Sequence, residues 1–158
     1  MLLRFAKMAH VLTILGVIGL LPGIMLAQTT DHLAGTWNFK AIVTTGCTTD
    51  CQYIGMIAFN QGGTAVEQRG TVVEYDLGYV ERTALGSWRS TGTSAYRFRM
   101  KNFVFDSTGK FSGFIVATSD VTLSSTLNSL SGSGTAKIFK ADGTLFRNTT
   151  FTITGTRF

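Results

Sequence analysis

Turn-forming residues interrupt the chain at intervals after Asp31, and this spacing constrains the fold more than any other feature of the sequence. The clearest turns are Asn60–Gly63, Asp106–Gly109, Asn128–Ser129 and Ala141–Gly143, which combine residues that tolerate positive φ or hydrogen-bond their own backbone. Between the turns, the strand-favouring residues Thr, Val, Phe and Tyr are abundant, and no segment keeps a helical period. The sequence therefore predicts an all-β fold.

Eight strands are predicted, joined mostly by short connections. Their bounds are 35–44, 52–60, 64–75, 80–90, 95–105, 111–123, 130–140 and 144–157. Successive hairpin connections favour an eight-stranded antiparallel up-and-down β-barrel, and a two-sheet sandwich is the alternative. Pro22 is the only proline, so the strand region lacks the residue that is tolerated mainly at sheet edges, and this favours closure. A chain of 158 residues suits one domain, which we predict over residues 28–158.

Residues 1–27 have the layout of a secretory signal peptide. Arg4 and Lys7 precede an apolar run over residues 11–21, and Ala27 follows at a cleavage point. The alternative is an uncleaved anchor over roughly residues 9–27. We expect cleavage, a secreted or periplasmic location, and no stable membrane insertion of the mature chain.

Charge and histidine content exclude several classes of function. The net charge is +5, of which Arg4 and Lys7 supply two, and the mild remaining surplus does not indicate nucleic-acid binding, which would need a clustered basic face. The only basic clustering is Arg97, Arg99 and Lys101 on one strand, which predicts a solvated outer face, with a docking stripe for an anionic ligand or surface as the alternative. His32 is the only histidine after residue 27, which excludes a multi-histidine metal centre and a Ser-His-Asp triad. We predict no metal, no cofactor and no nucleic-acid partner, and the catalytic residues, if any, are unknown.

The two cysteines, Cys47 and Cys51, are separated by three residues. In an exported protein, a pair this close predicts a structural disulfide that closes a small loop. A redox-active pair would have two intervening residues at a helix start, and a metal site would need further soft ligands. The Cys47–Cys51 bridge is expected to contribute about 2 kcal/mol.

The segment from Tyr96 to Phe105 alternates between apolar and cationic residues. The apolar parity begins with Tyr96, Phe98 and Met100, and the cations of the other parity are Arg97, Arg99 and Lys101. Unpaired cations inside a narrow barrel are unfavourable, so we predict that the apolar set points inward and the cations outward. Phe103 and Phe105 continue on the cationic parity, and a bulge near Lys101–Asn102 is expected to return them to the inner face.

A Gly-x-Trp motif, Gly35-Thr36-Trp37, opens the first predicted strand, and Arg157 lies in the last. A Gly-x-Trp at the start of an eight-stranded barrel resembles the calycin group, which includes lipocalins, fatty-acid-binding proteins and avidins. The resemblance implies that Trp37 plugs the closed end of the barrel and that Arg157 packs across its indole ring. It also implies a small apolar molecule as ligand.

A second Gly-x-Trp motif ends at Trp88, in the fourth predicted strand. We predict that the ligand-binding side chains are Trp88, Tyr96, Phe98 and Met100. The same aromatic residues are numerous enough to fill a barrel completely. The sequence therefore does not distinguish a hollow barrel from a filled one.

The leading interpretation is an exported, lipocalin-like barrel that binds a small apolar molecule. The first alternative is a barrel isomerase or cyclase that resembles the allene oxide cyclases. Its candidate acid–base groups are Glu67, Glu74, Tyr75 and Glu81.

The second alternative is a small outer-membrane barrel ending in Phe158. Counting back in twos from Phe158 gives Thr156, Thr154, Thr152 and Thr150. This polar row does not fit a lipid-facing strand. Apolar residues on both parities of strands 52–60 and 111–123 leave oligomerisation open.

Overall fold

The computed structural model describes residues 31–46, 52–70, 73–74, 78–80 and 83–158. The predicted signal peptide and the predicted Cys47–Cys51 disulfide lie outside the described residues, as do Tyr75 and Glu81. Within the described residues, no helix has the length and apolar character needed to cross a membrane.

The described chain is built from ten strands, and every pairing between them is antiparallel. Their bounds are β1 Gly35–Val43, β2 Gln52–Phe59, β3 Thr64–Arg69, β4 Val73–Glu74, β5 Gly78–Val80, β6 Thr83–Ser90, β7 Ala95–Phe105, β8 Phe111–Leu123, β9 Ser129–Lys140 and β10 Leu145–Arg157.

Eight of these strands close into a barrel, which confirms the predicted fold. Around the barrel they follow the order β7-β6-β3-β2-β1-β10-β9-β8, and the pairing of β7 with β8 closes the ring. This closure excludes the two-sheet sandwich, because neither β7 nor β8 is left as an edge.

The short strands β4 and β5 form a hairpin between β3 and β6. The hairpin extends the sheet beside the end of β7, where Val80 pairs with Val104. The third and fourth predicted strands, 64–75 and 80–90, are therefore each divided, into β3 with β4 and β5 with β6.

Strict alternation along β7 places apolar side chains inside the barrel. Tyr96, Phe98 and Met100 are buried, whereas the cations between them are exposed, as predicted. The predicted bulge near Asn102 is wrong, because the alternation continues without a break and buries Asn102 and Val104.

Phe103 consequently stays on the outer face, with 42% of its surface exposed. Phe103 stays outside because aromatic side chains on β8 contact it on the outer face. Phe103 lies opposite Phe114 in the β7–β8 register, and its ring packs edge-on against Phe111 at 6.1 Å. The register irregularity between β7 and β8 occurs later, between Val104 and Phe105.

The two ends of the barrel differ. At one end, here called the Trp37 end, lie residues 31–34 and the turns 60–63, 91–94 and 124–128. At the other, the far end, lie residues 44–46, the short strands β4 and β5, and the turns 106–110 and 141–144. Most of the buried apolar side chains form one cluster that includes Trp37, and a smaller cluster of Val104, Ile115 and Ile138 lies towards the far end.

Inward-facing glycines let aromatic rings approach the barrel wall. A methyl group added at Gly134 would lie 2.5 Å from Cζ of Phe151, and one added at Gly55 would lie 2.8 Å from Cε1 of Phe39. Both distances are shorter than van der Waals contact. The barrel interior is therefore closely packed around the rings of Phe39 and Phe151.

Candidate binding site inside the barrel

The Trp37 end is closed by a plug made of Trp37 and Arg157. Trp37 is fully buried, and its indole Nε1 donates a hydrogen bond to the Leu33 carbonyl at 2.9 Å. The guanidinium carbon of Arg157 lies 4.3 Å from the centroid of the Trp37 ring. The structure thus brings together the two residues on which the calycin resemblance was based.

The guanidinium of Arg157 also fastens the segment that precedes β1. Its Nη2 donates to the His32 carbonyl at 2.6 Å and its Nη1 donates to the Ala34 carbonyl at 3.0 Å. Its Nε donates to the carbonyl of Leu127, in the turn between β8 and β9, at 3.3 Å. A planar group with several fixed donors is suited to such a contact, because it satisfies carbonyls from two connections while it covers the indole face.

The predicted ligand-binding residues form an aromatic cluster at the same end of the barrel as the plug, where Nε1 of Trp88 donates to the Asn60 carbonyl at 2.9 Å. The ring of Phe59 packs edge-on against Phe98 at 5.3 Å and against Trp88 at 6.0 Å, and Trp88 lies 5.8 Å from Tyr96. These aromatic residues and Met100 are all buried. The structure brings the four predicted residues together inside the barrel, and their contact with a ligand remains a prediction.

A charged pair lies inside the barrel on β3. Ala65, Glu67 and Arg69 share the inward parity, and Nε of Arg69 donates to Oε1 of Glu67 at 2.5 Å. Only 7% of the Glu67 side chain and 11% of the Arg69 side chain are exposed. The Arg69 guanidinium carbon lies 5.6 Å from the Tyr53 ring centroid, on the neighbouring strand.

The inner face of β7 adds Asn102 to these polar groups. Asn102 is 1% exposed and follows Met100 on the inward parity, in the direction of the far end. Glu67 lies opposite Ala84 on β6, and Leu85 lies opposite Lys101 on β7. The register therefore places Asn102 two strands from Glu67, about 10 Å away across the small Ala84 side chain.

A further polar atom is buried deeper in the barrel. The Oγ of Ser119, on the inner face of β8, has no hydrogen-bond partner among the described residues. Ser119 lies opposite Phe98 and Gly134. A buried hydroxyl group without a hydrogen-bond partner is unusual in proteins, so Ser119 is an unsatisfied polar group within the apolar interior.

Sequence reasoning identified Glu67 and missed Arg69, Asn102 and Ser119. Arg69 was predictable because it lies two residues after Glu67 and so faces the same side of the strand, and Asn102 was predictable because it lies two residues after Met100. The predicted bulge near Asn102 interrupted this alternation, so the inward position of Asn102 was missed. The structure describes no side chain for Glu74, and Tyr75 and Glu81 lie outside the described residues.

On the outer face, the clearest charge pair joins β7 to β8. Nε and Nη2 of Arg97 donate to the two carboxylate oxygens of Asp120 at 2.7 and 2.8 Å. This side-chain hydrogen bond lowers the pKa of Asp120 and raises the pKa of Arg97. Both side chains remain about half exposed, so the pair fixes cross-strand register more than it adds stability.

Apart from the Ser119 hydroxyl, the interior is thus apolar near the Trp37 end, and Glu67, Arg69 and Asn102 make it polar towards the far end. Such a surface complements a small molecule with an apolar body and one polar group. Among the described residues, no three His, Cys, Asp or Glu side chains lie close enough together to hold a metal ion.

We compared the chain with protein-family models, curated proteins and solved structures. None of the three comparisons gave a match. The likeness to calycins therefore rests on the closed eight-stranded barrel and on the contact between Trp37 and Arg157.

Proposed function

We propose that the protein is an exported, lipocalin-like barrel that binds a small, mostly apolar molecule. The observation that carries the proposal is the asymmetry of the interior. The Trp37–Arg157 plug closes one end, whereas the Glu67–Arg69 pair and Asn102 lie towards the other. In an eight-stranded barrel, whose interior accommodates one small ligand, this arrangement favours entry from the far end.

The inner surface supplies the apolar contacts that such a ligand needs. Above the aromatic cluster, one wall is made of small side chains, including Ala117 and Ala136, which lie opposite each other on β8 and β9. Val104, Ile115 and Ile138 continue this apolar surface towards the far end. Burying a ligand against these groups is favourable at about 25 cal/mol for each Å² of apolar surface removed from water.

The polar end of the ligand is then expected to meet the Glu67–Arg69 pair. Arg69 offers guanidinium donors besides the Nε that Glu67 occupies, and these suit a carboxylate or another oxygen acceptor. We therefore expect amphipathic molecules such as fatty acids to bind more tightly than hydrocarbons of equal length.

A fluorescence titration tests the proposal. The protein is titrated with anilinonaphthalene sulfonate, and fatty acids of increasing length are then added to displace the probe. We expect saturable probe binding and complete displacement by one class of chain length. Ile115→Trp, which fills the interior, is expected to abolish binding.

Val116→Trp is the matched control, because Val116 is the next residue on β8 and points outward. It should bind the probe like the unmodified protein. If Ile115→Trp does not fold, Ala136→Leu fills the same region with a smaller group. Binding that is unsaturable, or equally reduced by the inward and outward substitutions, contradicts the proposal.

A barrel isomerase or cyclase is the second candidate, and the inward position of Glu67 favours it. A general acid or base must reach the bound substrate from a sheltered position, and Glu67 is 5% exposed inside the barrel. The Arg69 guanidinium beside it would orient the carboxylate. The test is incubation with an allene oxide of an unsaturated fatty acid.

In that test, an enzyme gives a single enantiomer of the cyclised product, and Glu67→Gln gives the racemate of the uncatalysed reaction. Glu67→Gln keeps the size of the side chain and should still bind the fluorescent probe. A racemic product from the unmodified protein excludes this second candidate and leaves the binding function intact.

A further inference from the structure

An unbroken row of apolar side chains crosses the outer face of the barrel near its far end. In the register of β7 to β10, Phe103 lies opposite Phe114, Phe114 opposite Phe139, and Phe139 opposite Leu145. The rings of Phe114 and Phe139 stack at 4.8 Å. Phe111 and Phe146 extend the row towards the strand ends. We call this set the rim band: Phe103, Phe111, Phe114, Phe139, Leu145 and Phe146.

Four residues of the rim band are exposed to solvent, and Phe114 and Phe139 between them are partly exposed. Phe103, Phe111 and Phe146 each have 40% or more of their surface accessible, and Leu145 has 50%. Single exposed apolar residues are ordinary, but adjoining ones across four neighbouring strands form a patch of the kind that marks an interaction surface.

Cations accompany the rim band. Nζ of Lys101 lies 4.3 Å from the Phe114 ring centroid, and Nζ of Lys140 lies 5.9 Å from that of Phe146. Lys137 occupies the same outward row as Lys101, separated by Val116, and Lys110 precedes Phe111. All four ammonium groups belong to exposed side chains.

The described carboxylates on the outer surface near the band belong to Asp106 and Asp142, and each accepts hydrogen bonds within its own turn. Asp106 accepts hydrogen bonds from Thr108 and from the Lys110 backbone, and Asp142 accepts hydrogen bonds from Thr144. These bonds lower the pKa of both carboxyl groups. Both carboxylates therefore stay ionised, but four exposed lysines outnumber them, so the described surface around the band has a positive balance.

We propose that the rim band docks the protein on the surface of an anionic lipid bilayer. Phenylalanine side chains would enter the boundary between headgroups and acyl chains, and the lysines would contact the anionic headgroups. Pairing of this face with a second copy of the chain would bring two sets of lysines together, and like charges disfavour that contact.

The proposal goes beyond the binding function, because it concerns the outer surface and needs no occupied interior. It places the far end of the barrel beside the membrane. In a protein that binds an amphipathic molecule, this orientation would shorten the path of the ligand between bilayer and barrel.

Vesicle flotation tests the proposal. The purified protein is mixed with phosphatidylcholine vesicles prepared with or without phosphatidylserine, at low and at high salt. We expect binding that requires phosphatidylserine and that weakens as salt screens the lysines. Lys101→Gln combined with Phe103→Gln should reduce the phosphatidylserine-dependent binding by at least about fivefold.

The matched control is Lys40→Gln combined with Ile54→Gln. Lys40 and Ile54 lie opposite each other on β1 and β2, both are exposed, and both lie outside the rim band. The control therefore removes the same kinds of group from another part of the barrel wall. Far-ultraviolet circular dichroism and thermal melting check that both variants fold.

Three results would overturn the proposal. The first is equal flotation with and without phosphatidylserine, and the second is equal loss in the rim and control variants. The third is a concentration-dependent dimer, seen by light scattering without lipid, that the rim variant abolishes. That third result would assign the band to a contact between copies of the chain. Flotation that depends on phosphatidylserine and on the rim residues alone supports the proposal.

Discussion

Arg157, the last residue of the final strand, covers the ring of Trp37, near the start of the first strand, with a separation of 4.3 Å. The two residues also lie opposite each other in the β1–β10 register. Because the guanidinium holds the carbonyls of His32 and Ala34 as well, it joins the two chain ends of the barrel at one point.

The first prediction concerns this plug. Trp37→Ala should lower the free energy of unfolding by about 3–5 kcal/mol, because it empties a fully buried aromatic position. Arg157→Lys should lower it by about 1–3 kcal/mol, since a lysine cannot serve three carbonyls and the ring face together. Urea denaturation measures both effects.

Phe158→Ala is the control for the plug variants, because Phe158 is adjacent to Arg157 and 80% exposed. It should change the free energy of unfolding by less than about 0.5 kcal/mol. A loss for Arg157→Lys no larger than that of the control would show that the contact with Trp37 is incidental.

The second prediction concerns the buried charge pair. Arg69→Met should destabilise the protein by about 3–5 kcal/mol, because it leaves the Glu67 carboxylate buried without its partner. Adding Glu67→Gln to that variant should recover part of the loss, since no unpaired charge then remains. A double-mutant cycle by urea denaturation measures the coupling, and additive effects would contradict it.

The third prediction concerns the interior glycines. Gly134→Ala should destabilise the protein by about 1–3 kcal/mol, because the new methyl group would meet the Phe151 ring. Gly92→Ala is the control, since a methyl group there would lie at an ordinary 3.5 Å from its nearest neighbour. Equal thermal midpoints for the two variants would mean that the barrel is looser around Phe151 than the structure describes.

The fourth prediction concerns acid stability. Hydrogen bonds lower the pKa of Asp106, Asp120 and Asp142 below the ordinary value of 3.8. Because the pKa values of these carboxyl groups are lower in the folded than in the unfolded protein, their ionised forms stabilise the fold. This stabilisation is fully present at a pH above the unfolded-state pKa values and is lost as the pH falls through the folded-state pKa values. The thermal midpoint should therefore be flat down to about pH 5 and fall below about pH 4.

The triple variant Asp106→Asn, Asp120→Asn, Asp142→Asn should show a shallower fall in the same range. Its thermal midpoint above about pH 5 should be lower than that of the unmodified protein, because the ionised acceptors are gone. An equally steep acid transition in the triple variant would assign the pH dependence to other carboxyl groups.

Much of the fold was predictable because each local signal agreed with the others. The turns at Asn60–Gly63 and Asp106–Gly109 fixed where strands end, and the alternation from Tyr96 to Met100 fixed which face is buried. The contact between Trp37 and Arg157 followed from the calycin resemblance, since those positions meet once a meander of eight strands closes.

The predicted bulge near Asn102 is wrong because the sequence of one strand does not show which residues face it on the neighbouring strands. The apolar side chain of Phe103 favours the inner face when β7 is considered alone, but Phe111 and Phe114 on β8 give it aromatic neighbours on the outer face. Whether such a residue faces inward or outward depends on its cross-strand neighbours, and the sequence of a single strand does not identify those neighbours.

The interior charge pair was only half predictable for a related reason. Glu67 and Arg69 alternate with Val66 and Gln68, so either parity of β3 was a reasonable inner face. The choice depends on Ile57 and Ala84, which lie opposite Glu67 on the neighbouring strands and are buried. Those pairings are set by the neighbouring strands β2 and β6, which the sequence of β3 alone does not show.

Isothermal titration calorimetry of the purified protein with dodecanoate, at two temperatures, tests the proposed binding function most directly. We predict one dodecanoate bound per chain, with a negative heat-capacity change because apolar surface is buried. Ile115→Trp should remove this binding, and Val116→Trp should preserve it. No saturable heat with dodecanoate or with its shorter and longer homologues, or a stoichiometry unaffected by Ile115→Trp, would contradict the account.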